Sequence, residues 1–138
     1  MISNDALREY LVVEYCSNPD GVLSPEDLAR VEFLEIATEE FQFWDEDNAS
    51  LVMNDFQQLE DLECLPNLKV LALSGQPAKG SLTLPDTVEE VCIERCLGIH
   101  LTIDGEEFDV PPSPKMWFWK KGMGHLEYSN NCQFRLRQ

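Results

Sequence analysis

Along this chain, short runs in which every second residue is apolar alternate with polar connections rich in proline, glycine and acid. The clearest runs are Leu71-x-Leu73 in KVLALSG and Val91-x-Ile93 in EEVCIER. Each has a further apolar residue three positions upstream, Leu68 and Val88. Period-two alternation puts such residues on one face of a strand, so strands are predicted at 69–73 and 90–94. A second pair of runs, Ser81-Leu82-Thr83-Leu84 and His100-Leu101-Thr102-Ile103, matches position by position and marks a duplicated unit.

Weaker copies of the frame lie upstream. Val31, Leu34 and Ile36 in VEFLEIAT predict a strand, and Val13-x-Tyr15, set before Leu34 and Ile36 at close to the later spacing, predicts another at 10–16. Leu51-x-Met53 precedes Leu71-x-Leu73 by the same interval that separates the latter from Val91-x-Ile93, and restarts the repeat after the irregular stretch EEFQFWDEDNAS. Ser24-Pro25-Glu26-Asp27 offers an N-cap, a proline at the first helical position and acids in the first turn, which predicts a short helix over 25–30. Phe56, Leu59, Leu62 and Leu65 follow helical spacing and predict a helix over 55–63, capped by Asn54 or Asp55. A strand around MWFWK and the LEY run eight residues on read as one more degenerate unit; the alternative is that strands at 116–120 and 133–136 pair as a closing cap.

The LxxLxL frame, recurring from Leu71 to Val91, resembles the leucine-rich repeat, and LPDTVEEVCI is similar to the short bacterial form in which a proline precedes each strand. The resemblance spans residues 8–128, is strongest over 65–104, and leaves 105–138 as an atypical C-terminal cap within one domain of 1–138. It implies an α/β fold: a short solenoid with a parallel sheet and short helices or extended segments on the convex side. The alternative is an α+β fold with a mixed sheet. Where leucine-rich repeats carry an asparagine after the strand, this chain has Glu39, Gln76 and Cys96.

The 138 residues, 43% of them hydrophobic, suffice for one domain with its own core. Charge changes the picture more, because 26 acidic residues face 10 basic ones, for a net −16. Residues 1–64 hold 17 acids and two bases, whereas 111–138 hold one acid and five bases. Such a chain repels nucleic acid and anionic membrane and attracts basic proteins over a distance. MISNDALREY has no basic n-region and no apolar core, and no segment is long enough to span a bilayer, so a soluble cytoplasmic protein is expected. The five cysteines form no framework and read as reduced thiols.

If Leu71 and Leu73 point inward, their neighbours must point outward, in columns reading Val12, Glu14, Cys16; Phe33, Glu35, Ala37; Val70, Ala72, Ser74; and Glu90, Cys92, Glu94. The carboxylates Glu14, Glu35, Glu90 and Glu94 on this face, together with Glu39, Glu40, Phe43, Trp44, Asp45, Glu46 and Asp47 from the irregular acidic stretch, are the expected partner-binding residues. Aromatic area ringed by charge has the make-up of an interface centre and its rim. Neither His100 nor His125 lies in a nucleophile motif, no glycine-rich phosphate loop is present, and Asp45, Asp47 and Asn48 lack the rest of a calcium loop. No enzyme activity, cofactor or metal is therefore expected. The expected function is an acidic inhibitor of a basic protein, a monomer when free, similar in physical character to the immunity proteins that bacteria pair with nuclease toxins. The alternative is a leucine-rich adaptor that binds without inhibiting.

Overall fold

Residues 2–39 and 50–129 are described by the computed structural model, and the first element departs from the expected strand. Helix α1 spans Asp5–Tyr15. Asn4 caps it, its side-chain oxygen accepting from the Leu7 amide at 2.9 Å, and Leu7 and Leu11 are buried one turn apart. The cap and the 7/11 pair override the alternation at Val13-x-Tyr15, leaving Val13 80% exposed. A buried carboxylate holds the chain just before this helix: Asp61 accepts from Ser3 N at 2.8 Å, Ser3 Oγ at 3.0 Å and Asn4 N at 2.8 Å.

Helix α2, Pro25–Leu28, forms through a capping box between Ser24 and Asp27. Helix α3 is shorter than its pattern predicts, Leu59–Leu62. Its start is delayed because the Phe56 amide is committed to the Gln76 side chain at 3.1 Å, outside any helical turn.

The strands are β1 Phe33–Ala37, β2 Ser50–Val52, β3 Val70–Ser74, β4 Gly80–Leu84, β5 Glu90–Glu94, β6 Ile99–Ile103, β7 Glu106–Val110, β8 Met116–Lys120 and β9 Glu127–Ser129. Among the described residues they form two sheets, of order β2-β1-β3-β5-β8-β9 and β4-β6-β7. The repeat spacing read in the sequence is the pairing register: β3 and β5 are parallel neighbours with Leu71 opposite Val91 and Leu73 opposite Ile93. The second repeat is a register too, since β4 and β6 pair in parallel with Ser81 opposite His100 and Leu84 opposite Ile103.

Two expectations are corrected. The large sheet is mixed, because β8 joins β5 antiparallel and β9 joins β8 antiparallel. And β2, though it stands one repeat before β3, does not pair with it; β1 lies between them, parallel to both. Over the described residues the chain is thus a mixed α/β protein with two sheets and few short helices, and the α+β mixed-sheet alternative also fits. The strand expected at 133–136 lies outside the described residues.

The core collects the inward residues of both sheets: Leu34, Ile36, Leu71, Leu73, Val91 and Ile93 from the larger, Leu82, Leu84, Leu101 and Ile103 from the smaller, with Leu7 and Leu11 of α1. Full burial of each such side chain contributes about 1.5–3 kcal/mol. The opposite face of the larger sheet has its own smaller cluster, Val70, Ala72, Cys92, Met116 and Phe118. The middle of this sheet is therefore buried on both sides.

Candidate functional site

The outward columns expected to bind a partner are placed by the strand register. Glu35, Ala72 and Cys92 form one row across β1, β3 and β5, and Phe118 of β8 continues it. Ser74, Glu94 and Met116 form the next. Glu35 is 1% and Glu94 2% exposed, so these two carboxylates belong to a buried face rather than an open one. The Ser74 hydroxyl donates to Glu94 Oε1 at 2.8 Å. Glu90, half-buried, lies 3.8 Å from the Lys120 ammonium across the β5–β8 pair. The physical reason for closure is in the column itself: Val70, Ala72 and Cys92 with Met116 and Phe118 make an apolar strip that water solvates poorly.

Glu14 is exposed, but on α1 rather than on a strand, so it does not extend those rows. Glu39 is exposed just after β1. Glu40, Phe43, Trp44, Asp45, Glu46 and Asp47 lie outside the described residues.

The thiols in this region are poor nucleophiles. Burial pushes the Cys92 thiol well up, helped by the nearby Glu94 and Glu35 carboxylates. Burial likewise pushes Cys96 up to about 11, against the opposing hydrogen bond from the Gln76 backbone. A thiol kept protonated at neutral pH neither attacks nor ligates readily. Among the described residues no group of three or more His, Cys, Asp and Glu side chains could hold a metal ion. No helix among them is long and apolar enough to cross a membrane.

An apolar cavity of about 440 Å³ lies between the start of α1 and α2, bordered by Ile2, Val22, Leu23 and Leu28. Arg8, the charged residue among the described ones on its border, is engaged by Asp5 at 2.7 Å.

A dense group of exposed acids stands on an element that the sequence pattern reads as a connection. Strands β6 and β7 form a tight hairpin with Ile103 opposite Glu106, turning through Asp104 at φ 50° and Gly105 at φ 82°. Two successive positive φ values match the right-handed twist of the flanking strands, which is why Asp-Gly favours such turns. Asp104, Glu106, Glu107 and Asp109 are all exposed here. Set into them is His100, whose Nδ1 lies 2.7 Å from Asp109 Oδ1 and whose Nε2 lies 2.7 Å from Glu107 Oε1. These two bonds hold the imidazole above its ordinary value, the Asp109 bond contributing most. The signal that could have found the hairpin was the Asp-Gly pair between the alternating runs HLTI and EFDV.

Comparison of the chain with family models, with curated proteins and with solved structures finds no match in any of the three. What the site offers is therefore its own chemistry: exposed acids on α1 and on the β6–β7 hairpin, a buried sheet face, and thiols held protonated.

Proposed function

We propose that this protein is an acidic binding module that inhibits a basic protein partner, in the manner of an immunity protein neutralising a nuclease-type toxin. The observation that carries the reading is the net charge of −16 together with where the described acids stand. Asp5, Glu9 and Glu14 on α1 and Asp104, Glu106, Glu107 and Asp109 on the hairpin are all exposed. A field of that sign steers a cationic surface into contact, and short-range packing then sets the lifetime of the complex. The contacts we assign are Glu14, Glu39 and the hairpin acids, with Glu40, Phe43, Trp44, Asp45, Glu46 and Asp47. Glu90, half-buried beside Lys120, is assigned with them, while Glu35 and Glu94 support the sheet from inside.

The scaffold we read as leucine-rich-repeat-like. Support comes from the parallel in-register pairs β3–β5 and β4–β6, and from a backbone detail shared by the β1–β3 and β3–β5 pairs. Glu32 O accepts from the amides of Lys69 and Val70, and Lys69 O accepts from those of Glu89 and Glu90. Gln76 fills the asparagine position, its side chain bonding Phe56 N, Met53 O and Ser74 O.

An adaptor using the strand columns is disfavoured by the burial of Glu35 and Glu94, which leaves that face little to offer. The test is copurification from the native cell, followed by assay of the recovered basic protein with and without this chain. Inhibition that weakens with salt, through a slower association rate, is the expected result. A partner bound without loss of its activity would favour the adaptor, and an association rate flat across ionic strength would remove the steering.

A further inference from the structure

A neutral imidazole carries one N–H and one lone pair; only the imidazolium donates from both nitrogens. His100 has a carboxylate oxygen at 2.7 Å from each nitrogen, Asp109 on one side and Glu107 on the other. With a neutral ring, one of those carboxylates would face a lone pair at hydrogen-bond distance, an arrangement that repels. The geometry therefore selects the charged ring, and with it two charge-assisted bonds of the stronger kind.

The two bonds cross the hairpin. His100 projects from β6, and both acceptors project from β7, Asp109 directly opposite and Glu107 opposite Thr102. Among the described residues strand β7 is the edge of its sheet and pairs only with β6 in it. Its residues Glu106, Glu107 and Asp109 are exposed, so before Val110 only Phe108, half-buried against the core beside Trp119, anchors the strand by side-chain burial. We propose that His100 is a proton-operated clasp that fastens the edge strand β7 to β6 and releases it as the pH rises.

Among the described residues the surroundings contain nothing that would substitute for the proton. On β4 the residue opposite His100 is Ser81, and the next residue on that face is Thr83, whose amide donates to Glu63 at 2.9 Å. On β6 itself the same-face neighbour is Thr102. The shallow cleft beside the ring is lined by Gly80, Ser81, Gly98, Ile99, Val110 and Pro111 besides Asp109, with no cationic side chain. The charged groups facing His100 are thus carboxylates alone among the described residues.

The sign of the effect follows. The folded imidazole is held above its ordinary 6.5, chiefly by Asp109 and then by Glu107. The clasp is at full strength below 6.5 and weakens as the pH climbs through the raised folded value. The proposal stands apart from the binding role above, since its test needs no partner.

The experiment is an NMR titration of the His100 ring in the folded protein and in the urea-unfolded chain, with amide exchange measured across 106–110. The expected midpoint is higher in the folded protein, and the combined E107Q and D109N variant returns it toward the unfolded value. At about pH 6, H100Q should exchange its β7 amides several-fold faster than the parent, and at about pH 9 the two should coincide. A folded midpoint at or below the unfolded one, or one unmoved in the double variant, overturns the proposal. Equal β7 exchange in H100Q and parent at about pH 6 overturns it as well. His100 is half-exposed, so H100Q is expected to fold, and the double variant tests the same clasp with the ring intact.

Discussion

Gln76 shows how one side chain can close the turn that follows a strand. It is buried, its carbonyl accepts from Phe56 N at 3.1 Å, and its amide donates to Met53 O and Ser74 O, each at 2.7 Å. Three backbone segments are thereby tied to one residue, and a longer amide is needed because the partners belong to the α3 approach as well as to β3. Gly75 beside it has φ 71°, and a Cβ there would stand 2.7 Å from Thr38 Cγ2, so any other residue would be strained at this turn and would have to displace Thr38. Replacing Gln76 by leucine keeps the volume but leaves the Phe56 amide buried without an acceptor. We expect Q76L to lose about 2–3 kcal/mol of stability, the cost of one or two buried polar groups left unpaired. Urea unfolding would show it as a lower midpoint at unchanged slope. Stability equal to the parent would mean that water or a shifted backbone replaces those bonds.

At the scale of elements, caps and buried acids decide what alternation alone leaves open. Asp27 of α2 is buried and accepts from Ser24 N at 3.0 Å, Ser17 Oγ at 2.9 Å and Arg30 at 2.8 Å. The Ser24 backbone bond, with those from Ser17 and Arg30, outweighs burial and holds its carboxyl well below the usual carboxylate range. Its contribution is therefore present above its ordinary 3.8 and is lost as the pH falls from there toward the lowered folded value. D27N should be less stable than the parent at neutral pH, and the gap should narrow as acid is added below about pH 4, measured by urea midpoints at each pH. A gap constant with pH would show that the charge is not what stabilises this turn. The capping box was legible because Ser24, Pro25 and Asp27 lie within one turn of each other in the sequence. The strands at 70–74 and 90–94 were legible because their apolar residues recur both locally and at the repeat distance. Helix α1 was not, since Leu11, Val12, Val13 and Tyr15 suit either period; the deciding residue was the cap, Asn4, three positions before Leu7. Alternation also names two faces without saying whether the second is covered. The burial of Glu35 and Glu94 was hinted at only by the small apolar residues Ala72 and Cys92 beside them. The hairpin acids are hard to see in DGEEFDV because the prolines that follow it signal a long connection, whereas the Asp-Gly pair alone carries the turn.

For the whole molecule, the two kinds of carboxylate do different work. Those at Asp27, Asp61, Glu35 and Glu94 are buried inside the architecture, and Asp27, Asp61 and Glu94 accept hydrogen bonds there, whereas those on α1 and on the hairpin face solvent. Only the second group can act on another molecule at a distance. The arrival of β8 has a separate effect on assembly. A parallel run of strands is open-ended by construction, since each presents to its neighbour the same row of amides and carbonyls it has just received. By lying antiparallel against β5, with Trp117 opposite Ile93 and Trp119 opposite Val91, β8 interrupts that run with a partner from the same chain. Removing residues 111–138 would bare the β5 edge and its flanking apolar strips. Sedimentation should then show head-to-tail oligomers that grow with concentration, and a monomer that keeps its fold would show that the edge was never sticky. Filament formation is the hazard inherent in a stackable unit, and the β8–β9 pair supplied by the same chain is what stands against it on this side.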